Sequence, residues 1–165
     1  MRLVKIIAWI FIIYIIQTVF AGLIGIQKTV PDLLLGFSII YSFHEKRYNS
    51  CIYILLACGM LAGSCVGRSF PADVLIIGTA SIAAHELNGK IRFIPKFIRT
   101  EFMVAAAAIV LSAAEYFISF RTLGTDALIR SIVPYAAYTL ICACIMYPLI
   151  MKTLFKKDEK QLLIV

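Results

Sequence analysis

The sequence predicts an all-α integral membrane bundle of six transmembrane helices with both termini on the cytoplasmic side. Three observations predict it: the apolar content, the division of the chain into apolar segments by charge clusters, and a lopsided distribution of cations. Of 165 residues, 62% are hydrophobic and 15% charged, with a mean hydropathy of +0.94. A water-soluble domain of this length needs a polar shell, and too few polar residues are present to build one, so hydrocarbon is the expected solvent. A formal charge of +7 would suggest nucleic acid in a soluble protein. In a membrane protein the same excess marks loops held in the cytoplasm, and no nucleic-acid role is expected.

Divided at its charge clusters, the chain gives apolar segments at approximately 3–25, 31–43, 50–66, 72–87, 102–120 and 131–151. The first, fifth and sixth are long enough to cross a core of about 30 Å at about 1.5 Å per residue. The second, Pro31 to Phe43, reaches only about 20 Å as helix. It must extend through "HEKR", sit where neighbours shield its ends, or thin the bilayer. The opening run from Ile6 continues past Gln17 to about Gly25, longer than the roughly 7–15 residues of a signal-peptide core. It reads as a retained span.

With the N-terminus inside, the cytoplasmic segments hold twelve of the sixteen basic residues, and the outer loops only Lys28, Arg68, Arg121 and Arg130. Short loops need this bias because basic residues resist translocation. A six-span domain over 1–152 and a short cytoplasmic tail over 153–165 are expected. The basic connection "NGKIRFIPKFIRTE" (88–101) either only sets topology or also lies along anionic lipid headgroups.

In "VPDLLL", Pro31 and Asp32 signal a helix start: proline lacks an N–H that the first turn would leave unbonded, and a carboxylate there meets the positive end of the helix dipole. The functional alternative makes Asp32 an outward contact for a partner or for Arg68. In "GMLAGSCVG", Gly59, Gly63 and Gly67 repeat every four residues, marking a close helix–helix contact in lipid. Whether the neighbour is internal or another protein stays open, with internal packing the simpler reading.

Glu115 in "AIVLSAAEYFISF" and Gln17 in the first segment are intramembrane polar residues, expensive unless paired or functional. For Glu115 a structural bond from Tyr135 or Tyr138 competes with a functional role. Cys51, Cys58 and Cys65 share a helix face, and Cys142 and Cys144 lie in the last segment. With no C-x-x-C or paired Cys/His set, no metal or cofactor is expected. "HELNG" (85–89) opens like a zincin motif but lacks the second histidine, so His85 and Glu86 mark the end of the fourth span. An intramembrane aspartyl peptidase needs two facing carboxylates. Asp32, Asp73 and Asp126 fall near the outer boundary, but the context of "PAD" (71–73) and the span count disfavour that chemistry.

A first span ending in Gln17, then "VPDLLL", a glycine-spaced third span, "AEY" in the fifth and "YPLIMK" (147–152) together resemble the MreD family of bacterial rod-shape-determining membrane proteins. Arg68 stands where that family usually has an acid, and Thr139 where an asparagine often follows the aromatic. The resemblance implies a non-enzymatic subunit of the cell-elongation complex in the bacterial cytoplasmic membrane. It implies an MreC-like scaffold, RodA with its class B penicillin-binding transpeptidase, and MreB filaments as partners. The interface would involve the Gly59–Gly67 stripe with Pro31, Asp32 and Arg68. Such proteins are similar in architecture to substrate-binding S-components of energy-coupling-factor transporters, the alternative function. That alternative needs polar groups converging near the outer side, with Gln17, Glu115, Tyr116 and Tyr135 as candidates.

Overall fold

The computed structural model describes residues 2–21, 30–64, 70–90, 95–118 and 125–155. Among them the protein is all-helical: α1 (Arg2–Ala21), α2 (Leu33–His44), α3 (Tyr48–Gly63), α4 (Phe70–Lys90), α5 (Lys96–Ile118) and α6 (Thr125–Ile150), then a π-turn at Met151–Phe155. The expected segments each correspond to one helix, with displaced ends. The displacement is largest, six residues each, at the starts of α5 and α6: α6 starts at Thr125 rather than 131, and α5 at Lys96 rather than 102, where the Pro95 carbonyl opens the helix by accepting from Arg99 N at 3.2 Å. Most of the expected loop 88–101 is therefore helix: Asn88–Lys90 close α4, and Arg99, Thr100 and Glu101 are buried in α5. Charge clusters broke the apolar pattern there, yet both α4 and α5 extend into it.

α2 stands at the centre. It packs on α1, α3, α4, α5 and α6, and every residue from Leu34 to Phe43 is buried. Twelve residues rise about 18 Å, so α2 ends at His44 and does not continue through "HEKR"; its neighbours shield both ends. Around it, α3 pairs with α4 and α5 with α6 as antiparallel hairpins. α1 lies against α2, with lesser contacts to α3 and the π-turn.

Small residues set the closest approaches. A Cβ built on Gly59 would stand 2.9 Å from the Val74 Cα, so α3 and α4 meet backbone to backbone. At Gly36 the nearest atom would be the Ala143 Cβ at 3.5 Å, an ordinary contact between α2 and α6. α6 contains Pro134 and Pro148. Pro148 cannot donate to the helical ladder, and the wider π-turn begins three residues later. Leu154 and Phe155 of that turn are buried, so the packed unit runs past the boundary expected at 152.

The core is largely apolar, and bulky apolar side chains also cover much of the outside. Gln17, Asp32, Ser38, Ser42, Asp73 and Thr139 are among the buried polar residues, while Phe11, Tyr53, Leu75 and Ile145 are exposed. Two segments, Lys96–Ala114 and Ile132–Phe155, are long and apolar enough to cross a membrane. Leu3–Val19, Leu33–His44 and Tyr48–Gly63 are shorter apolar helices.

Candidate functional site

A short helix sealed among others still has polar backbone groups at both ends, and leaving these unbonded away from water costs about 1–3 kcal/mol each. At α2 both ends are met by side chains from other helices. These two clusters hold most of the long-range polar contacts of the described residues.

At the N-terminal end, Asp32 is the N-cap: its Oδ1 accepts from Leu35 N at 2.9 Å and its carbonyl from Gly36 N at 3.2 Å. Gln17 of α1 reaches across so that its Oε1 accepts from Leu34 N at 3.1 Å. From α6, the Thr139 hydroxyl accepts from Asp32 N at 3.1 Å, and the Tyr135 hydroxyl donates to Asp32 Oδ2 at 3.4 Å. Asp32 is 0% exposed. The helix-start reading is met directly, since the carboxylate bonds the first turn of α2 and Tyr135 of α6; Arg68, its other suggested partner, lies outside the described residues.

At the C-terminal end, four successive carbonyls are satisfied by four different groups. His44 Nδ1 donates to Ile40 O at 3.0 Å, Glu45 N to Tyr41 O at 2.9 Å, His85 Nδ1 to Ser42 O at 3.2 Å, and Asn88 Nδ2 to Phe43 O at 2.6 Å. The tautomer that places a proton on His44 Nδ1 leaves Nε2 to accept from the Tyr147 hydroxyl, 3.1 Å away. Both histidines of the chain thus serve one helix end. Cys51 Sγ lies 3.6 Å from His85 Nδ1. Glu45 accepts from the Tyr41 hydroxyl at 2.6 Å and from Lys46 N and Arg47 N, folding the chain back toward α3. His44 also lies against Phe155 and Tyr147, tying the π-turn to α2, and the Trp9 indole N–H donates to Thr153 Oγ1 at 3.0 Å, tying in α1.

The other expected site residues are distributed as follows. Pro31 is half-buried just ahead of the Asp32 cap, and Gly63 is buried with Gly59 on α3. Gly59 faces Val74, so at that point the glycine stripe serves an internal contact. Gly67 and Arg68 lie outside the described residues; Glu115 lies in α5, and its side chain and that of Tyr116 are outside them. Gln17 and Tyr135, both named as candidates for a converging polar set, meet at the N-terminal end of α2, one on Leu34 N and the other on Asp32. Thr139, Asn88 and Tyr147 escaped the sequence reading: a lone polar residue on an apolar helix does not say which distant backbone group it bonds. Among the described residues no group of three or more His, Cys, Asp or Glu side chains is placed to hold a metal ion.

What the arrangement does chemically is fix one buried helix relative to α1, α4 and α6, by bonds whose geometry tolerates little sliding. No protein-family model, curated protein or solved structure matches the chain.

Proposed function

We propose that the chain is a non-enzymatic, six-span subunit of a bacterial cell-elongation complex, similar to the MreD family, in the cytoplasmic membrane with both termini inside. The observation that carries the membrane part is the exterior: bulky apolar side chains face outward, while polar groups are enclosed at the two ends of α2. Water would penalise that exterior, whereas lipid accommodates it and penalises only unbonded polar groups. α5 and α6 have spanning length, and α2, though short, is enclosed and needs no lipid contact of its own. The family part is supported by a meeting of motif residues: Gln17 and the "PDLLL" run join through Leu34 N. An MreC-like scaffold, RodA with its transpeptidase and MreB filaments are the partners this reading names. The subunit acts by packing helices against a partner's span, so that synthesis outside and filaments inside are joined.

Depletion in a rod-shaped host tests the role: rounding of the cells supports it, and unchanged shape overturns it. Reporter fusions at Lys96 and at the carboxyl end test the topology, which requires both on the cytoplasmic side.

The S-component reading draws on one observation, the convergence of Gln17, Asp32, Tyr135 and Thr139 at one end of the bundle. Those groups are already engaged with one another and with the backbone, which favours the structural role. Ligand-dependent thermal stabilisation of purified protein would favour the transporter, because binding to the native state alone produces it.

A further inference from the structure

Most buried polar groups described above are spoken for. Glu101 is different. It is 8% exposed, and neither carboxylate oxygen has a hydrogen-bond partner among the described residues. The polar group it faces on α6 is the Cys144 thiol, a weak donor at best. Arg99, two residues earlier, cannot neutralise it. Two residues turn a helix by about 200°, and the Arg99 guanidinium is on another side, over the Phe43 ring and donating to Asn88 O at 3.3 Å. That location suits a cation, since the C-terminal carbonyls of α2 and α4 are close by. Among the described residues Glu101 is thus a buried carboxylate without a countercharge, an expensive arrangement in a low-dielectric setting.

Its surroundings are those of a groove floor. Ile98, Phe102 and Ile109, at helical spacing beside it, are 54%, 73% and 47% exposed; across the seam Ile141 and Ile145 flank Cys144 at 58% and 62%. Glu101 stands five residues into α5, a rise of about 7.5 Å from its cytoplasmic start. At that level a single-span partner with a cytoplasmic N-terminus carries its Lys and Arg, because positive charges gather at the inner end of a span and their long stems bend along it.

From this charge complementarity we infer that the α5/α6 groove receives a partner's transmembrane helix, whose cytoplasmic-end lysine or arginine pairs with Glu101. The inference rests on the membrane-subunit reading above and names the face and the chemistry of contact. In that pairing the carboxylate turns from the Cys144 side toward the groove mouth. The apolar ridges then grip the partner helix while the ion pair sets its depth.

The test uses the full chain in its native host membrane, with the photoreactive residue benzoylphenylalanine placed singly at Phe102, Ile145, Phe11 or Leu75. Adducts from Phe102 and Ile145, but not from Phe11 or Leu75, with a span bearing Lys or Arg near its inner end are expected. Glu101→Gln should lower adduct yield at least tenfold, and Glu101→Asp should retain part of it. Glu101→Lys should abolish the adduct and be rescued by Lys/Arg→Glu in the captured span. Wild-type elution and melting of purified Glu101→Gln exclude misfolding. Equal adduct yield from Glu101→Gln, or failed charge-swap rescue, overturns the inference. Adducts from Phe11 or Leu75 alone overturn it while leaving the subunit reading intact; no protein adduct from any position overturns both.

Discussion

Gln17 and Leu34, on separate helices, are joined by one hydrogen bond of 3.1 Å from the Leu34 amide to the Gln17 Oε1. Gln17 is buried, and Leu34 N is one of the amides that α2 cannot satisfy within itself. Gln17→Leu keeps the bulk and removes the acceptor, so it should cost about 1–3 kcal/mol. Gln17→Glu retains an oxygen at the same reach but buries a second carboxyl at the helix end that already holds Asp32, so it should cost at least as much. Thermal unfolding of the two variants in one detergent gives the ranking; equal melting of Gln17→Leu and wild type would show the amide satisfied elsewhere.

Asp32 caps the same turn through Oδ1. Asp32→Asn preserves the acceptor and should lose little, whereas Asp32→Ala should lose about 0.5–2 kcal/mol for the cap. Because Thr139 binds the Asp32 amide and not its carboxylate, Thr139→Val should weaken the fold independently. A double-mutant cycle on unfolding free energy checks whether the two losses add.

The two glycines facing other helices make a matched pair. Gly59→Ala drives a methyl to 2.9 Å from the Val74 backbone, and the crowding should cost about 1–3 kcal/mol. Gly36→Ala meets Ala143 at 3.5 Å, and the helix-propensity gain of roughly 1 kcal/mol should offset any strain. Melting temperatures should therefore fall for the first and hold or rise for the second. The reverse order would mean that α3 and α4 are not in contact at Gly59.

Trp9 is the one tryptophan of the chain, and its indole donates to Thr153 in the π-turn. Thr153→Val removes the acceptor without changing the shape, so tryptophan emission should shift to shorter wavelength. The π-turn should also loosen from α1, read as faster proteolysis after Phe155. Unchanged emission would show that α1 and the turn do not meet.

The helices were legible because apolar runs are long and charges punctuate them. Pro31-Asp32 was legible as a start signal because capping is local chemistry, contained within four residues. The start of α5 was not, since "KFIRTE" reads as a polar loop until Arg99 and Glu101 are seen buried by neighbouring helices. The caps supplied by Thr139, His85 and Asn88 were not legible either: each bonds a backbone group more than forty positions away, and nothing in a single helix records that distance. Within the glycine stripe, the close contact expected at Gly59 is present, but its neighbour became known only when Val74 was found against it.

A ribosome makes α2 early and its anchors late. Thr139, Tyr135, His85 and Asn88 are synthesised after Leu33–His44 has emerged, so the middle of the finished bundle must wait, its ends provisionally solvated, until α4 and α6 arrive. Construction order and final architecture thus diverge, and a chain arrested before position 135 would carry its keystone without the stones of α6, Tyr135 and Thr139.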